Sequence, residues 1–156
     1  MSGDKAAFRL RPREVQTKAE LEALVDLWAA SWAQAMPDVD FSARRGWLRA
    51  RIVELETAGA TTLCAFDAQG APVGFVTVDA ASGYLDQVAV APCAKGGGAA
   101  RALLEGARAL AGRRLELDVN FDNARARRFY EREGFVVIGE GVNPASRLRT
   151  LRLREK

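Results

Sequence analysis

The stretch Val88-Ala89-Val90-Ala91-Pro92-Cys93-Ala94-Lys95-Gly96-Gly97-Gly98-Ala99-Ala100-Arg101-Ala102-Leu103-Leu104 joins an apolar extended segment to a helix through a run of small residues. Glycines let the backbone come close to a ligand and turn successive N–H groups toward it. A helix N-terminus adds partial positive charge. Together they suit a phosphate or pyrophosphate; the plain alternative is a surface loop. Two nucleotide motifs do not fit. The P-loop string G-x-x-x-x-G-K-S/T is absent from the chain. The dinucleotide fingerprint G-x-G-x-x-G/A accepts Gly96 and Gly98 but meets Arg101 where a small residue is required.

Working outward, the segment Tyr84 to Pro92 reads as a strand, and Ala99 to Gly112 as a helix. Upstream, Phe8 to Pro12 reads as a first strand. Leu21, Leu24, Val25, Trp28 and Trp32 recur at three- and four-residue steps, which predicts a helix over Lys18 to Ala35, broken by Pro37 and Asp38. A second helix opens at Phe41-Ser42, with Ser42 as N-cap. Its stripe is Trp47, Leu48, Ile52 and Leu55, and it ends at Gly59. Residues 61–67 and 72–79 read as a hairpin around Ala68-Gln69-Gly70. Downstream come a strand at 114–119, a helix at 123–134 closed by Gly134, and strands at 135–141 and 147–154. The order β-α-α-β-β-β-α-β-α-β-β defines an α+β fold, a mixed sheet flanked by helices. It is mostly antiparallel in its first half, with one or two parallel crossovers in its second. No repeat or low-complexity linker interrupts it, so residues 1–156 are expected to form a single domain.

Composition narrows the chemistry. The chain of 156 residues is 49% apolar and 28% charged, the balance of a globular protein with a core. It contains no histidine, which excludes a Ser-His-Asp triad, a Cys-His pair and a histidine general base. Proton transfer must then use Asp, Glu, Tyr, Lys, Cys or water. Cys64 and Cys93 are the only cysteines, too few for a Cys/His zinc site or a disulfide framework, so no metal is expected. No apolar run reaches the ~18 residues of a membrane span. The first residues carry no apolar leader segment, and a cytoplasmic location is expected. A net charge of +3 points to a mildly anionic partner such as a phosphate-bearing cofactor. The arginine-rich 147–156 segment reads as an edge strand with one charged face rather than a nucleic-acid surface.

The Val88–Leu104 segment resembles the acyl-coenzyme A loop of the GNAT acetyltransferases, written Arg/Gln-x-x-Gly-x-Gly/Ala. Here it is Lys95-Gly96-Gly97-Gly98-Ala99-Ala100, with Lys95 departing from the usual Arg or Gln. That change keeps a cation but loses a planar fork. Residues 117–135 resemble the strand and helix that follow in the family, Leu-Glu/Asp-Val-x-x-x-Asn-x-x-Ala-x-x-Phe/Leu-Tyr-Glu/Lys-x-x-Gly-Phe. Asp118, Asn123, Ala126, Tyr130, Gly134 and Phe135 fall in place. The two motifs cover about residues 85 to 135.

The resemblance implies acetyl-coenzyme A (acetyl-CoA) as acyl donor and transfer to a primary amine of a small molecule by direct attack in a ternary complex. Protein N-terminal or lysine acetylation and a non-catalytic acyl-coenzyme A module are the alternatives. It implies that the strands at 84–90 and 114–119 splay, leaving backbone of Val88, Ala89 and Val90 to the cofactor, with the Val88 N–H aimed at the thioester carbonyl. Lys95, Gly96, Gly97, Gly98, Ala99 and Ala100 would hold the pyrophosphate, helped by Arg101. Asn123, Ala126 and Phe129 would line the cofactor. Tyr130 would protonate the leaving thiolate. For the general base the resemblance favours Asp118, with Asp86, Glu116 and water as alternatives. Trp28, Trp32 and Asp86 are the candidate acceptor contacts, with Met36, Phe41, Trp47, Asp38 and Asp40 near the same rim. Cys93 has nothing beside it in sequence to activate its thiol, so no acyl-enzyme is expected. Neither nucleic acid nor membrane is an expected partner; a homodimer stays open.

Overall fold

The computed structural model describes residues 8–14 and 17–156; residues 1–7, on which part of the leader reading rests, lie outside them. The elements follow the expected order: β1 (Arg9–Pro12), α1 (Lys18–Ala35), α2 (Arg45–Thr57), β2 (Thr61–Phe66), β3 (Pro72–Asp79) and β4 (Tyr84–Val90). After the glycine loop come α3 (Ala99–Ala111), β5 (Glu116–Asn120), α4 (Ala124–Arg132), β6 (Phe135–Val142) and β7 (Arg149–Glu155). The seven strands form one mixed sheet in the spatial order β1-β2-β3-β4-β5-β7-β6. Neighbours are antiparallel except β4 and β5, which run parallel.

Strand alternation sorts the core into two layers. Leu63 and Ala65 of β2, Val76 and Val78 of β3 and Leu117 of β5 face Leu103, Leu104 and Ala107 of α3, together with Tyr130 of α4. On the other face Cys64, Phe66, Phe75 and Ala89 meet Leu24, Val25 and Trp28 of α1 and Leu48 and Ile52 of α2. Each fully buried aliphatic side chain contributes ~1.5–3 kcal/mol. α3 lies so close to β2 that a Cβ on Gly106 would stand 2.6 Å from Leu63 Cδ2. Burial of the Cys64 thiol raises its pKa to about 12, so it stays protonated.

Two expectations need correction. The second helix is not capped by Ser42. A 3-10 turn over Ser42–Arg44 precedes α2, and Asp40 Oδ1 accepts from the Ser42 and Ala43 amides at 3.1 and 3.3 Å and from Ser42 Oγ at 2.6 Å. A carboxylate two residues earlier reaches more donors than the hydroxyl does. Nor is the C-terminal strand an edge. β7 inserts between β5 and β6, and β6 forms the border. The arginines of β7 are aligned there with carboxylates: Glu116 pairs in register with Arg154, and Asp118 with Arg152.

The middle of the sheet is opened by two irregularities. The β3–β4 register runs Val76↔Val88 and then Val78↔Leu85. Two β4 residues, Asp86 and Gln87, therefore oppose Thr77 alone, which is a β-bulge. It breaks the alternation, and both side chains turn toward the helices: Asp86 to Arg51 of α2 and Gln87 to Trp28 of α1. In addition, β4 meets β5 only at Tyr84↔Glu116 and Leu85↔Leu117, beyond which the two strands part.

Candidate active site

The parting of β4 and β5 leaves backbone unpaired. Ala91 N–H donates to Val73 O at 2.8 Å, so hydrogen-bonded pairs alternate from there: 73 with 91, and 75 with 89. Val88 and Val90 fall on the intervening positions. Their N–H and C=O groups point away from β3, into the gap that β5 has left. Ala89 does not share this role. Its backbone is turned to β3 and its side chain is buried among the α1 and α2 residues.

Two cavities open from the gap. One, of about 760 Å³, lies toward α1 and α2 and is walled by Trp28, Trp32, Phe41 and Trp47. The other, of about 560 Å³, lies under the glycine loop and is lined by Lys95, Gly96, Gly98, Ala100, Arg101 and Phe129. Trp32, Val88, Asn123, Ala126 and Tyr130 border both.

The glycine loop is shaped by backbone conformation. Gly96 and Gly98 have φ of +84° and +93°, a region that side-chain-bearing residues avoid. The first helical bond of α3 runs from Ala102 N–H to Gly98 O. Among the described residues, the amides of Gly96, Gly98, Ala99, Ala100 and Arg101 therefore have no acceptor. Gly97 differs from the expectation: its N–H donates to Ala94 O at 3.2 Å, closing the turn, and it borders neither cavity. The Ala99 side chain is core, so only its amide can serve. The Lys95 ammonium is held below the ordinary lysine pKa by burial and, secondarily, by nearby Arg125. Arg101 sits at the rim, paired with Glu133 at 3.1 Å. Five free amides, a helix N-terminus and a lysine fit a pyrophosphate; the unpaired edge of β4 fits an extended amide-bearing arm.

α4 brings the remaining groups. Asn123 Oδ1 caps it by accepting from Ala126 N–H at 3.2 Å. One helical turn on, Tyr130 is 7% exposed and stands edge-on to Phe129 and Phe135, with ring centroids 5.3 and 5.4 Å away. Its hydroxyl makes no hydrogen bond to any described residue. Burial pushes its pKa above the ordinary tyrosine value, so the phenol keeps its proton.

The carboxylates named as bases are all engaged. Asp118 accepts from Arg152 Nε at 2.7 Å and Nη2 at 3.0 Å, and from Tyr84 Oη at 2.7 Å. Asp86 is held by Arg51 through Nη2 at 2.8 Å and Nε at 3.2 Å. Glu116 accepts from Arg152 at 2.9 Å and Arg154 at 3.2 Å, and these bonds hold its pKa below the usual carboxylate value. The Tyr84 phenol is raised by burial and by its bond to Asp118. Trp28 is anchored by its indole N–H to Gln87 Oε1 at 3.0 Å. Met36, Asp38 and Asp40 line neither cavity; Asp40 is occupied as a cap. Arg51, Tyr84, Gln87 and Arg152 escaped the sequence reading. The signals available were two adjacent polar residues, Asp86-Gln87, inside an apolar strand, and alternating arginines on β7 that match alternating acids on β5.

Comparison with known proteins agrees with this fold. A family model described as an acetyltransferase (GNAT) domain matches residues 41–145. The chain belongs to the GNAT acetyltransferase family, which uses acetyl-CoA as acyl donor. A comparison with curated protein sequences finds no match. Among solved structures, apo YjaB from Escherichia coli is 27% identical with a TM-score of 0.73, covering 95% of this chain and 97% of its own. PaiA N-acetyltransferase from Thermoplasma acidophilum, in complex with coenzyme A, is 17% identical with a TM-score of 0.75 over 96% and 99%. An Escherichia coli N-acetyltransferase acting on a ribosomal-protein alanine is 17% identical with a TM-score of 0.70 over 96% and 93%. No helix among the described residues is long and apolar enough to cross a membrane.

Proposed function

We propose that the chain transfers an acetyl group from acetyl-CoA to a primary amine of a small molecule. It would act as one domain in the cytoplasm, by direct attack with both substrates bound. One observation carries the reading: Val88, whose backbone N–H is turned away from β3, and Tyr130, whose phenol has no hydrogen-bond partner among the described residues, both border the two cavities. The donor supplies an activated thioester. The amides of Gly96, Gly98, Ala99 and Ala100, with Lys95, hold its phosphates, and the Val88 and Val90 backbone orients its arm. The Val88 N–H stabilises negative charge on the carbonyl oxygen as it develops. The neutral acceptor nitrogen forms its bond to the acyl carbon, the carbon–sulfur bond breaks, the Tyr130 hydroxyl gives its proton to the leaving sulfur, and the surplus proton on nitrogen leaves to water.

Thiol release from acetyl-CoA, followed across a panel of amines, tests the reading. Amine-dependent release, lost in Tyr130→Phe with coenzyme A still bound, is the expected result. Tight coenzyme A binding with no transfer to any amine or peptide would instead make the chain an acyl-coenzyme A-binding module. Release with protein N-termini alone would move the acceptor to the protein class, in which the ribosomal-protein enzyme is a structural neighbour.

A further inference from the structure

Every carboxylate bordering the aromatic cavity has an arginine. Glu54 and Asp86 are paired with Arg51, Asp118 with Arg152, and Glu140 with Arg149. Glu116, just outside, is shared by Arg152 and Arg154. In Asp86, Asp118 and Glu116 both oxygens are already hydrogen-bonded acceptors. None of the three is a vacant seat for an alkylammonium, and none can take its proton without breaking a charge-assisted bond. Among the described residues, the one charged group bordering this cavity without an opposite charge is Arg44. Its guanidinium stands 5.4 Å from the centre of the Phe41 ring.

We infer that the acceptor is a low-pKa primary amine, delivered in its neutral form on an apolar body that carries a carboxylate, and that Arg44 binds that carboxylate. The inference rests on the acyl-transfer reading above and narrows it. Proton balance supports it. A neutral amine forms the C–N bond, the C–S bond breaks, sulfur takes the proton of Tyr130, and the surplus proton on nitrogen returns through solvent to the Tyr130 oxygen. The products are an amide and a free thiol, with no net proton released. An ammonium acceptor would release one, and among the described residues every carboxylate bordering this cavity is already paired with an arginine. Near pH ~7.5 an α-amino group of pKa ~7.8 is about one-third neutral, whereas a lysine-type amine of pKa ~10.4 is neutral in about one molecule per thousand. The walls of Trp28, Trp32, Phe41 and Trp47 suit an apolar body.

Four probes test this: the dipeptide glycyl-phenylalanine, its C-terminal amide, Nα-acetyl-lysine and 1,4-diaminobutane. The dipeptide is expected to exceed both alkyl amines at least tenfold in kcat/KM, and its own amide by about tenfold or more. In Arg44→Gln the ratio of dipeptide to amide should fall toward one, and Arg44→Lys should restore part of it. Quenching of tryptophan fluorescence gives the same ratios as dissociation constants without any chemistry. Alkyl amines accepted as well as the dipeptide, or a carboxylate-to-amide ratio near one in the unaltered protein, would overturn the inference while leaving acyl transfer intact. Absence of transfer to all amines would defeat the acyl-transfer reading, and the fluorescence ratios would still decide the role of Arg44.

Discussion

The cavity under the glycine loop and the aromatic cavity share a border at Tyr130 but are made of different material. The first offers unpaired backbone groups: amides at the start of α3 and the edge of β4, freed by glycine conformation and by strand divergence. The second is mostly side chains, held by arginine–carboxylate clamps and the Trp28–Gln87 bond. Backbone groups bind any ligand with phosphates and amides and change little when surrounding side chains vary. Side-chain walls depend on every residue and tune one acceptor. The difference separates what binds a shared donor from what chooses an acceptor.

Substitutions on each side should fail in different ways. Tyr130→Phe, at the border, is expected to have the largest effect. General acid catalysis is worth ~10²–10⁴-fold, so kcat should drop by that range while KM for acetyl-CoA stays level. Steady-state kinetics with the chemical step rate-limiting checks this, and near-full turnover would make Tyr130 a packing residue. Next, Gly98→Val forces a side chain into a φ of +93° and misdirects the loop amides. Coenzyme A affinity should weaken by ~2 kcal/mol, the worth of charge-assisted hydrogen bonds. Calorimetry showing unchanged affinity in a folded variant would break the backbone half of the comparison.

On the side-chain half, Gln87→Leu strands the buried Trp28 N–H. It should cost ~1–3 kcal/mol of stability by chemical denaturation while leaving coenzyme A affinity alone. The smallest effect is expected for Arg152→Gln. Arg152, with Arg154, holds the pKa of Glu116 below its unfolded value of 4.5. The stability this contributes is present above that value and is lost as pH falls through the lower folded one. For so exposed a pair it amounts to a few tenths to ~1 kcal/mol. The gap in Tm between the two proteins should be open at neutral pH and close in acid; a constant gap would assign the loss to packing.

The same division explains what could be read from sequence. Element order, the bounds of α1, the glycine C-caps and the loop were legible, because each is written locally in periodicity and in glycine and proline. The position of Tyr130 on α4 was legible through a motif, while the role of its hydroxyl is part of the proposal. The insertion of β7 between β5 and β6 was not, since chain order does not state spatial order. Nor was the bulge at Asp86-Gln87, which shows only as a slip against a partner strand. The resemblance favours Asp118 as base, but its clamp by Arg152, 34 positions away, is written in no local pattern. Ala89 and Gly97 sit within motif stretches, yet one alternation of a ladder and one turn bond remove their amides from the site.

That last point offers the most direct test of a backbone-built donor site. Coenzyme A should be titrated into isotope-labelled protein while backbone amide resonances are followed. The amides of Val88, Val90, Gly96, Gly98, Ala99 and Ala100 should shift most, with Ala89 and Gly97 moving less than their neighbours. Shifts centred on Ala89 and Gly97, or a response confined to the arginines of β7, would contradict the account.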